Sequence, residues 1–321
     1  MGSEMCIRDS WEGTPPPFLV DPTDRAGVRP GEAGHDGRTL RVTDAELARL
    51  SPGMEQYWRI KRNNMDCVLC FKVGKFYELF EDDAHLVHRE LELNYMGKAR
   101  PHAGFPEAAL PKYAEQLVAR GYRLAVVEQM ETPAQLAERN RLAKVANPRA
   151  KAERAVRREV CSLLSPGTLT SASLAGPEAR WLLALTMREP TAADPPGCAG
   201  AFGACLVDAA ASRFVVGSFA DGPTLGRLRT LLAEAAPAEA LLDADRLPAA
   251  AALVVALAVR ERCISRVRGA DAFPSADTAA AELDANGYFD AELGGCAGGA
   301  WPEPIAHFRP VSYTHLRAHE T

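Results

Sequence analysis

The chain contains no run of eighteen consecutive apolar residues, which excludes a membrane-spanning helix of ordinary length. No Gly-x-x-x-x-Gly-Lys-Ser/Thr segment occurs, so the sequence encodes no phosphate-cradling nucleotide loop of that kind. Cys67-Val68-Leu69-Cys70 has no second Cys-x-x-Cys to complete a four-thiolate zinc site. In an extended strand, residues three apart face opposite sides, so Cys67 and Cys70 read as small core residues rather than shared ligands. The eight cysteines follow no spacing pattern and read as reduced, intracellular thiols. Residues 1–10 lack the apolar core of a secretory signal. Excess positive charge is missing too: the formal net charge is −5, which argues against a generally basic nucleic-acid binder. No internal repeat is evident.

The 321 residues have room for two ordinary domains, and a hydrophobic content of 47% suffices for packed cores. The charge is unevenly spread. Residues 54–170 carry 19 Lys and Arg against 15 Asp and Glu. The flanks are acidic, with 6 basic against 9 acidic residues before that block and 12 against 18 after it. All seven lysines lie in the middle block, which a polyanion would choose over its neighbours.

The pattern of apolar residues predicts an α/β organisation. A Pro-, Gly- and charge-rich segment over 11–50 reads as loose, or docked only in part. A helix beginning near Met54 carries Tyr57, Trp58 and Ile60 on one face, and Cys67–Val73 is a buried strand. Helices follow over 84–93 and 110–120, the second closed by Gly121. A strand spans 124–127. Thr132-Pro133-Ala134-Gln135 starts a helix, with a Thr cap, Pro in the first turn and Gln three residues on. A last strand covers 160–164. Small and polar residues over 171–177 mark a domain boundary. Beyond it come a strand over 182–186, a hairpin of 202–208 with 213–219, a helix over 224–235, a buried strand over 240–242 and a helix over 248–258.

The most informative segment is Phe71-Lys72-Val73-Gly74-Lys75-Phe76-Tyr77-Glu78-Leu79-Phe80. Gly74 breaks the apolar strand, and two aromatics and a carboxylate follow directly. In extended backbone Phe76 and Glu78 point to the same side, placing a flat apolar ring beside a hydrogen-bond acceptor. That pair suits a base pair, by stacking on the ring and an edge contact to the carboxylate. Taken alone, these residues fit a simpler account better: Phe76 and Phe80 as core aromatics and Glu78 as a solvated charge.

Ser51-Pro52-Gly53-Met54-Glu55-Gln56-Tyr57-Trp58 through Phe80 resembles the start of the mismatch-binding domain of the MutS family of DNA mismatch-repair proteins. The likeness continues in His102-Ala103-Gly104-Phe105-Pro106-Glu107, Gly121-Tyr122-Arg123, Val127-Glu128-Gln129-Met130-Glu131-Thr132-Pro133 and Val156-Arg157-Arg158-Glu159-Val160. Tyr95-Met96 and the Lys75 form of the loop point to the eukaryotic branch, whose member of this type is the mismatch-reading subunit of a heterodimer. The resemblance is dense over 51–170 and thinner to about residue 305.

It implies a mixed-sheet mismatch-binding domain over 51–170, then a ribonuclease-H-like connector domain over 178–305 that includes Phe273, Tyr288 and Phe289. Its implied function is recognition of mismatched or looped bases in duplex DNA, in the nucleus, beside a second MutS homologue and with no membrane partner. Phe76 and Glu78 are the implied reading residues, with Val73, Lys75 and Met96 as their DNA-contacting neighbours. An aromatic wedge spends unstacking energy and gains a kinked duplex that meets more protein. No catalytic residue, metal ligand or cofactor site is implied in this stretch. The ATP and Mg of the family are expected elsewhere in a longer protein.

Other candidates read as less specific. His85 and His88, at i and i+3 behind Glu81, Asp82 and Asp83, have the spacing of a chelate but lie on a densely charged helix face. The run Lys144, Arg149, Lys151, Arg154, Arg157 and Arg158 suits phosphate contacts and a solvated surface equally. Asp208 and Asp243, at strand ends of the second domain, raise the alternative of a metal-dependent nuclease. The first strand of that domain offers no acid, and both Asp read as strand-end residues. Residues 1–10 and 311–321 resemble translated sequencing-adapter read-through. They are set apart from the fold, with His315 and His319 among them.

Overall fold

A computed structural model of the chain describes residues 13–149, 151–169, 180–269 and 273–285. Two compact units divide between Leu164 and Ser165. The boundary expected over 171–177, both terminal segments set apart above, and Tyr288 and Phe289 lie outside the described residues.

The first unit is built on a five-stranded mixed sheet of order β3-β2-β1-β4-β5. The strands are β1 (Cys67–Val73), β2 (Phe76–Phe80), β3 (His102–Pro106), β4 (Arg123–Gln129) and β5 (Arg158–Leu164). β1 is central, antiparallel to β2 and parallel to β4. It is buried on both faces until Val73, and its one charged residue, buried Lys72, is paired with Glu107 at 2.8 Å. Gly74, at φ +61°, turns the chain, and with Lys75 it forms a two-residue hairpin that pairs Val73 with Phe76.

One face of the sheet is covered by α1 (Pro52–Lys61), capped by Ser51, whose Oγ accepts the Met54 N–H at 3.5 Å. Tyr57 and Trp58 of α1 pack on Cys67, Leu69, Phe71, Ala125 and Val127. Phe18, Leu40, Val42 and Leu47 join the same cluster. The segment before residue 51 is docked in part: among the described residues its regular structure consists of the single-turn helices Pro17–Val20 and Asp44–Leu47, and its apolar side chains complete the core around Trp58. Phe18 meets the Trp58 ring edge-on at 4.9 Å.

α2 (Asp82–Leu91) packs on β2 and β3, and α3 (Leu110–Ala119) on β4. Tyr113 of α3 touches Phe105, 4.8 Å between ring centres. α2 ends two residues before the expected Leu93, because Glu92 adopts a left-handed conformation at φ 57°. α4 (Pro133–Ala146) begins as expected: Thr132 and Gln135 form a reciprocal capping box.

Ile60 packs, partly buried, against the same cluster as expected, and Lys61 is buried as well, 4% exposed. Its ammonium lies 2.9 Å from Asp83 Oδ1 and donates to Cys67 O at 2.7 Å. Asp83 Oδ2 accepts from the Leu69 N–H at 3.0 Å and the Tyr57 hydroxyl at 3.3 Å. Burial and the neighbouring carboxylate push the Tyr57 phenol well above its ordinary range.

The second unit holds a five-stranded mixed sheet of order β10-β9-β6-β7-β8. Its strands are β6 (Leu182–Arg188), β7 (Gly200–Asp208), β8 (Arg213–Asp221), β9 (Glu239–Asp243) and β10 (Ile264–Val267). β6, β7 and β8 form an antiparallel meander; β9 runs parallel to β6, and β10 parallel to β9. The helices are α5 (Gly226–Ala235), α6 (Ala249–Ala258) and α7 (Ala276–Ala285). Leu183, Leu185, Phe202 and Leu206 from the strands meet Leu228 and Leu232 of α5 and Val255 of α6 in one core. The apolar pattern foresaw most of these elements but neither the sheet orders nor β3, β10 and α7, which are short or rich in small residues.

Replacing Lys61 by Met is expected to leave Asp83 buried and uncompensated, lowering unfolding free energy by about 3–5 kcal/mol. Removing the exposed Arg29 of the Arg29–Asp21 pair should cost less than about 1 kcal/mol. Equal shifts of the two variants in guanidinium melts of the whole chain would refute the special weight given to the buried pair.

Candidate nucleic-acid interface

Strand alternation divides β2 into two sets. Tyr77 and Leu79 are buried, while Phe76, Glu78 and Phe80 face the other way. Neighbouring strands place Phe71 and Gly104 beside Glu78, Val73 and Pro106 beside Phe76, and His102 beside Phe80. α1 covers Phe71 through Tyr57, whose ring lies 5.5 Å away, and it reaches Phe80 at 5.0 Å. Phe76 and Glu78 lie further along that face, toward the hairpin.

The simpler account of the two aromatics fails for Phe76 and holds in part for Phe80. Phe76, the first residue of β2 after the turn, is 42% exposed. Phe80 is half-buried and stacked on the His102 ring at 4.7 Å and 12°. Nor is Glu78 a freely solvated charge: its side chain is 18% exposed, with Oε2 3.1 Å from His102 Nε2. Val73 is partly buried beside Phe76. Lys75 is exposed on the turn, its carbonyl accepting the Glu107 N–H at 2.9 Å.

Met96 arrives from outside the strands. Its N–H donates to His102 O at 2.6 Å, and Tyr95 bridges to Ala103. A Cβ built on Gly104 would lie 2.9 Å from Met96 Sδ, 2.9 Å from Tyr77 O and 3.6 Å from Glu78 Cγ. Met96, 40% exposed, thus brings its thioether toward Glu78 across a gap that only glycine leaves. Gly104 and His102 are the site residues that spacing alone missed; both stand in the His102–Glu107 run. His85 and His88 have a structural use that a chelate reading overlooks. His85 Nδ1 is 2.7 Å from the Tyr95 hydroxyl, His88 Nδ1 is 2.7 Å from Leu93 O, and both rings pack on Tyr95. They hold the segment that carries Met96.

The basic run divides by environment. Arg158 is half-buried, its guanidinium 4.9 Å over the Phe71 ring and donating to Lys72 O at 2.7 Å. Burial lowers its pKa, against the pull of the Glu78 charge. α4 has no buried residue and is held by ion pairs, Arg139 bridging Glu131 and Glu153 at 2.7 Å each. Arg139 and the Arg157 N–H hold the Glu131 carboxyl down at about 2. Lys144, Arg149, Lys151 and Arg154 are exposed, and none has an acidic partner among the described residues. Because β4 is parallel to β1, the chain leaves β4 and re-enters at Arg158 at the same end of the sheet as the Gly74–Lys75 turn.

The acids of the second unit are separated. Asp208 lies beyond the Leu182–Val207 pair at one end of β6, and Asp243 beyond the Leu185–Leu242 pair near the other. Asp208 accepts the Ala211 N–H at 3.3 Å. Asp243 accepts from Thr186 Oγ1 at 2.7 Å and from the Asp245 and Arg246 N–H groups at 3.2 Å each. Asp221 closes the start of α5 through the Leu228 N–H at 2.9 Å. Among the described residues no three His, Cys, Asp or Glu side chains converge as a metal site requires. Cys67 and Cys70 are buried, and burial pushes both thiols up to about 12, far from the thiolate a metal needs.

Residues 51–173 match the family model described as MutS domain I. The chain is 40% identical over 227 residues to the DNA mismatch repair protein MSH6 of Arabidopsis thaliana, a match covering 70% of this chain and 17% of that protein. Against the DNA mismatch repair protein Msh6 of Homo sapiens it is 40% identical over 223 residues, 68% of this chain and 16% of the relative. The Saccharomyces cerevisiae MSH6 protein matches over 306 residues at 28% identity, 91% of this chain and 23% of its own. The chain therefore spans under a quarter of the length of these relatives.

The buried thiols carry a signature in alkali. Each stays protonated when folded and ionises near 9 once unfolded, so its contribution is complete below pH 9 and fades as pH rises toward about 12. Unfolding free energy should fall with pH above 9 by up to about 1.4 kcal/mol per pH unit for each thiol. Urea melts at pH 8.5, 9.5 and 10.5 check this. The Cys67→Ala and Cys70→Ala variants should show a shallower pH slope, and an unchanged slope would contradict the assignment.

Proposed function

Because this chain belongs to the MutS family, we propose that its first unit reads mismatched and looped bases in duplex DNA, with Phe76 as the stacking wedge and Glu78 as the edge contact. The observation that carries this reading is a large aromatic left exposed beside a carboxylate whose Oε1 has no hydrogen-bond partner among the described residues. A mispaired step stacks poorly and kinks at lower cost, so an aromatic enters there in preference to paired DNA. Stacking on the ring tolerates any base, as a general mismatch sensor needs. The Glu78 carboxylate repels phosphates and finds a base N–H only where pairing is disturbed. Val73 and Met96 flank the wedge, and Lys75 stands at the turn where a backbone phosphate would lie.

The exposed residues Lys144, Arg149, Lys151 and Arg154 extend this surface toward the DNA backbone. β5 is three strand spacings from β2, roughly 14 Å at about 4.8 Å per strand, within the span of one duplex. The second unit is the ribonuclease-H-like connector of the family. An antiparallel three-strand meander followed by two parallel strands on the other side supports this. The nuclease alternative is disfavoured: Asp208 and Asp243 lie about 15 Å apart along the strand direction, whereas two catalytic metals sit about 4 Å apart. The full-length protein works in the nucleus beside a second MutS homologue, and its ATP and Mg chemistry belongs to parts outside this sequence.

In the full-length protein with its partner subunit, Phe76→Ala should cut the preference for a G·T over a G·C duplex by about 1–3 kcal/mol. Weak, salt-dependent binding to the matched duplex should stay nearly intact. Titrations at fixed salt that retain the full preference would rule out the wedge.

Lys151→Gln and Arg154→Gln should weaken matched and mismatched duplexes alike. Each variant neutralises one phosphate fewer, so the slope of log affinity against log salt should become shallower by about one. A change confined to the mismatched duplex would move these residues away from the backbone.

A further inference from the structure

His102 lies outside the wedge pair and its named neighbours, yet it touches the centre of the site. It opens β3 opposite Phe80, which makes Glu78 its diagonal neighbour across the strands. The imidazole lies flat on Phe80, 12° from parallel at 4.7 Å, so its plane is set by packing. The main chain of His102 is fixed as well, through its carbonyl to the Met96 N–H at 2.6 Å. Nε2 then lies 3.1 Å from Glu78 Oε2, and Glu78 Oε1 is bonded to no described residue. One face of β2 and β3 thus holds a complete order of support: Phe80 orients His102, His102 holds one oxygen of Glu78, and the other oxygen is left for a ligand.

We propose that His102 is a positioning residue for mismatch recognition, donating Nε2–H to Glu78 Oε2 so that Oε1 meets a base N–H in one fixed direction. The proposal rests on the assignment of Glu78 as the edge contact. A glutamate held by one oxygen has already lost its side-chain freedom before DNA arrives, so its base contact costs less ordering on binding. A carboxylate without that anchor rotates among staggered conformers, most of which direct neither oxygen at the base.

The test uses the full-length protein with its partner subunit, G·T and G·C duplexes, and dissociation constants at one salt concentration. His102→Phe keeps a ring over Phe80 and removes the donor. It is expected to lower the mismatch-to-match ratio about three- to tenfold, with matched binding little changed. His102→Gln carries an N–H to nearly the same place and should bring the ratio back within about twofold of the native protein. In a Glu78→Ala background, His102→Phe should have no further effect. Should the Phe variant not fold, His102→Asn, whose amide stops short of Glu78, takes its place and should show the same loss. The proposal is overturned by a native ratio in the donor-less variant, by failure of Gln to rescue, or by an undiminished loss in the Glu78→Ala background. Phe76→Ala, measured alongside, separates the causes. If it abolishes discrimination while His102→Phe does not, only the role of His102 falls. If it too leaves discrimination unchanged, the mismatch reading falls and His102's role falls with it.

Discussion

The first unit depends on a salt bridge taken out of water. Lys61 and Asp83 are nearly inaccessible, and between them they hold the end of α1, the entry of β1 and the first turn of α2. Every polar atom of that cluster that matters for cohesion is answered: the ammonium by a carboxylate and a carbonyl, the carboxylate by an amide and a phenol. Such a pair adds little over well-packed apolar residues, but it penalises any arrangement in which one partner is missing. It therefore sets where α1 lies. α1 in that position covers Phe71 and part of Phe80, and stops short of Phe76 and Glu78.

What α1 leaves uncovered is chemically uneven. An exposed phenylalanine, an exposed methionine and a carboxylate with one oxygen unbonded among the described residues lie together, bounded by a lysine on a tight turn. Each is supported from beneath. Gly104 makes space for Met96, His85 and His88 pin the segment before it, and His102 engages Glu78. Around that centre the charge is arranged by burial. Arg158 is used inside the fold, over Phe71, while Lys144, Arg149, Lys151 and Arg154 are exposed on α4 and the chain that follows it. α4 itself buries nothing and is held by Arg139 between two glutamates, so that part of the surface is shaped by charge rather than by packing.

The second unit spends its carboxylates differently. Asp208, Asp221, Asp243 and Glu239 are all buried, and all accept hydrogen bonds where strands end or helices begin. Glu239 takes the Ser165 hydroxyl and the Gly167 N–H at the start of β9. Carboxylates committed to loop amides at opposite ends of a sheet are poor ligands for a shared ion.

Much of this was legible in the residue order, because it depends on neighbours in the chain. Period-two alternation put Phe76 and Glu78 on one side of a strand, Gly74 marked the only backbone able to turn there, and Thr132, Pro133 and Gln135 began a helix by local hydrogen bonding. The apolar runs of β1, β6 and β9 announced buried strands for the same reason. What the sequence could not decide was which apolar or charged residues would meet across long separations. Lys61 was buried beside Tyr57 and Trp58 because Asp83, from a different helix, was there to neutralise it. Which residues of the first segment would dock, Leu40 and Phe18 among them, was set by their meeting Trp58. Phe76 stayed exposed while Phe80 did not because α1 reaches one and not the other. His102 became part of the site through strand register alone. Local order determined the elements and the face on which the candidate pair stands. Tertiary packing alone decided which of those side chains water, or a ligand, can reach, since burial is a property of what lies opposite and not of what comes next.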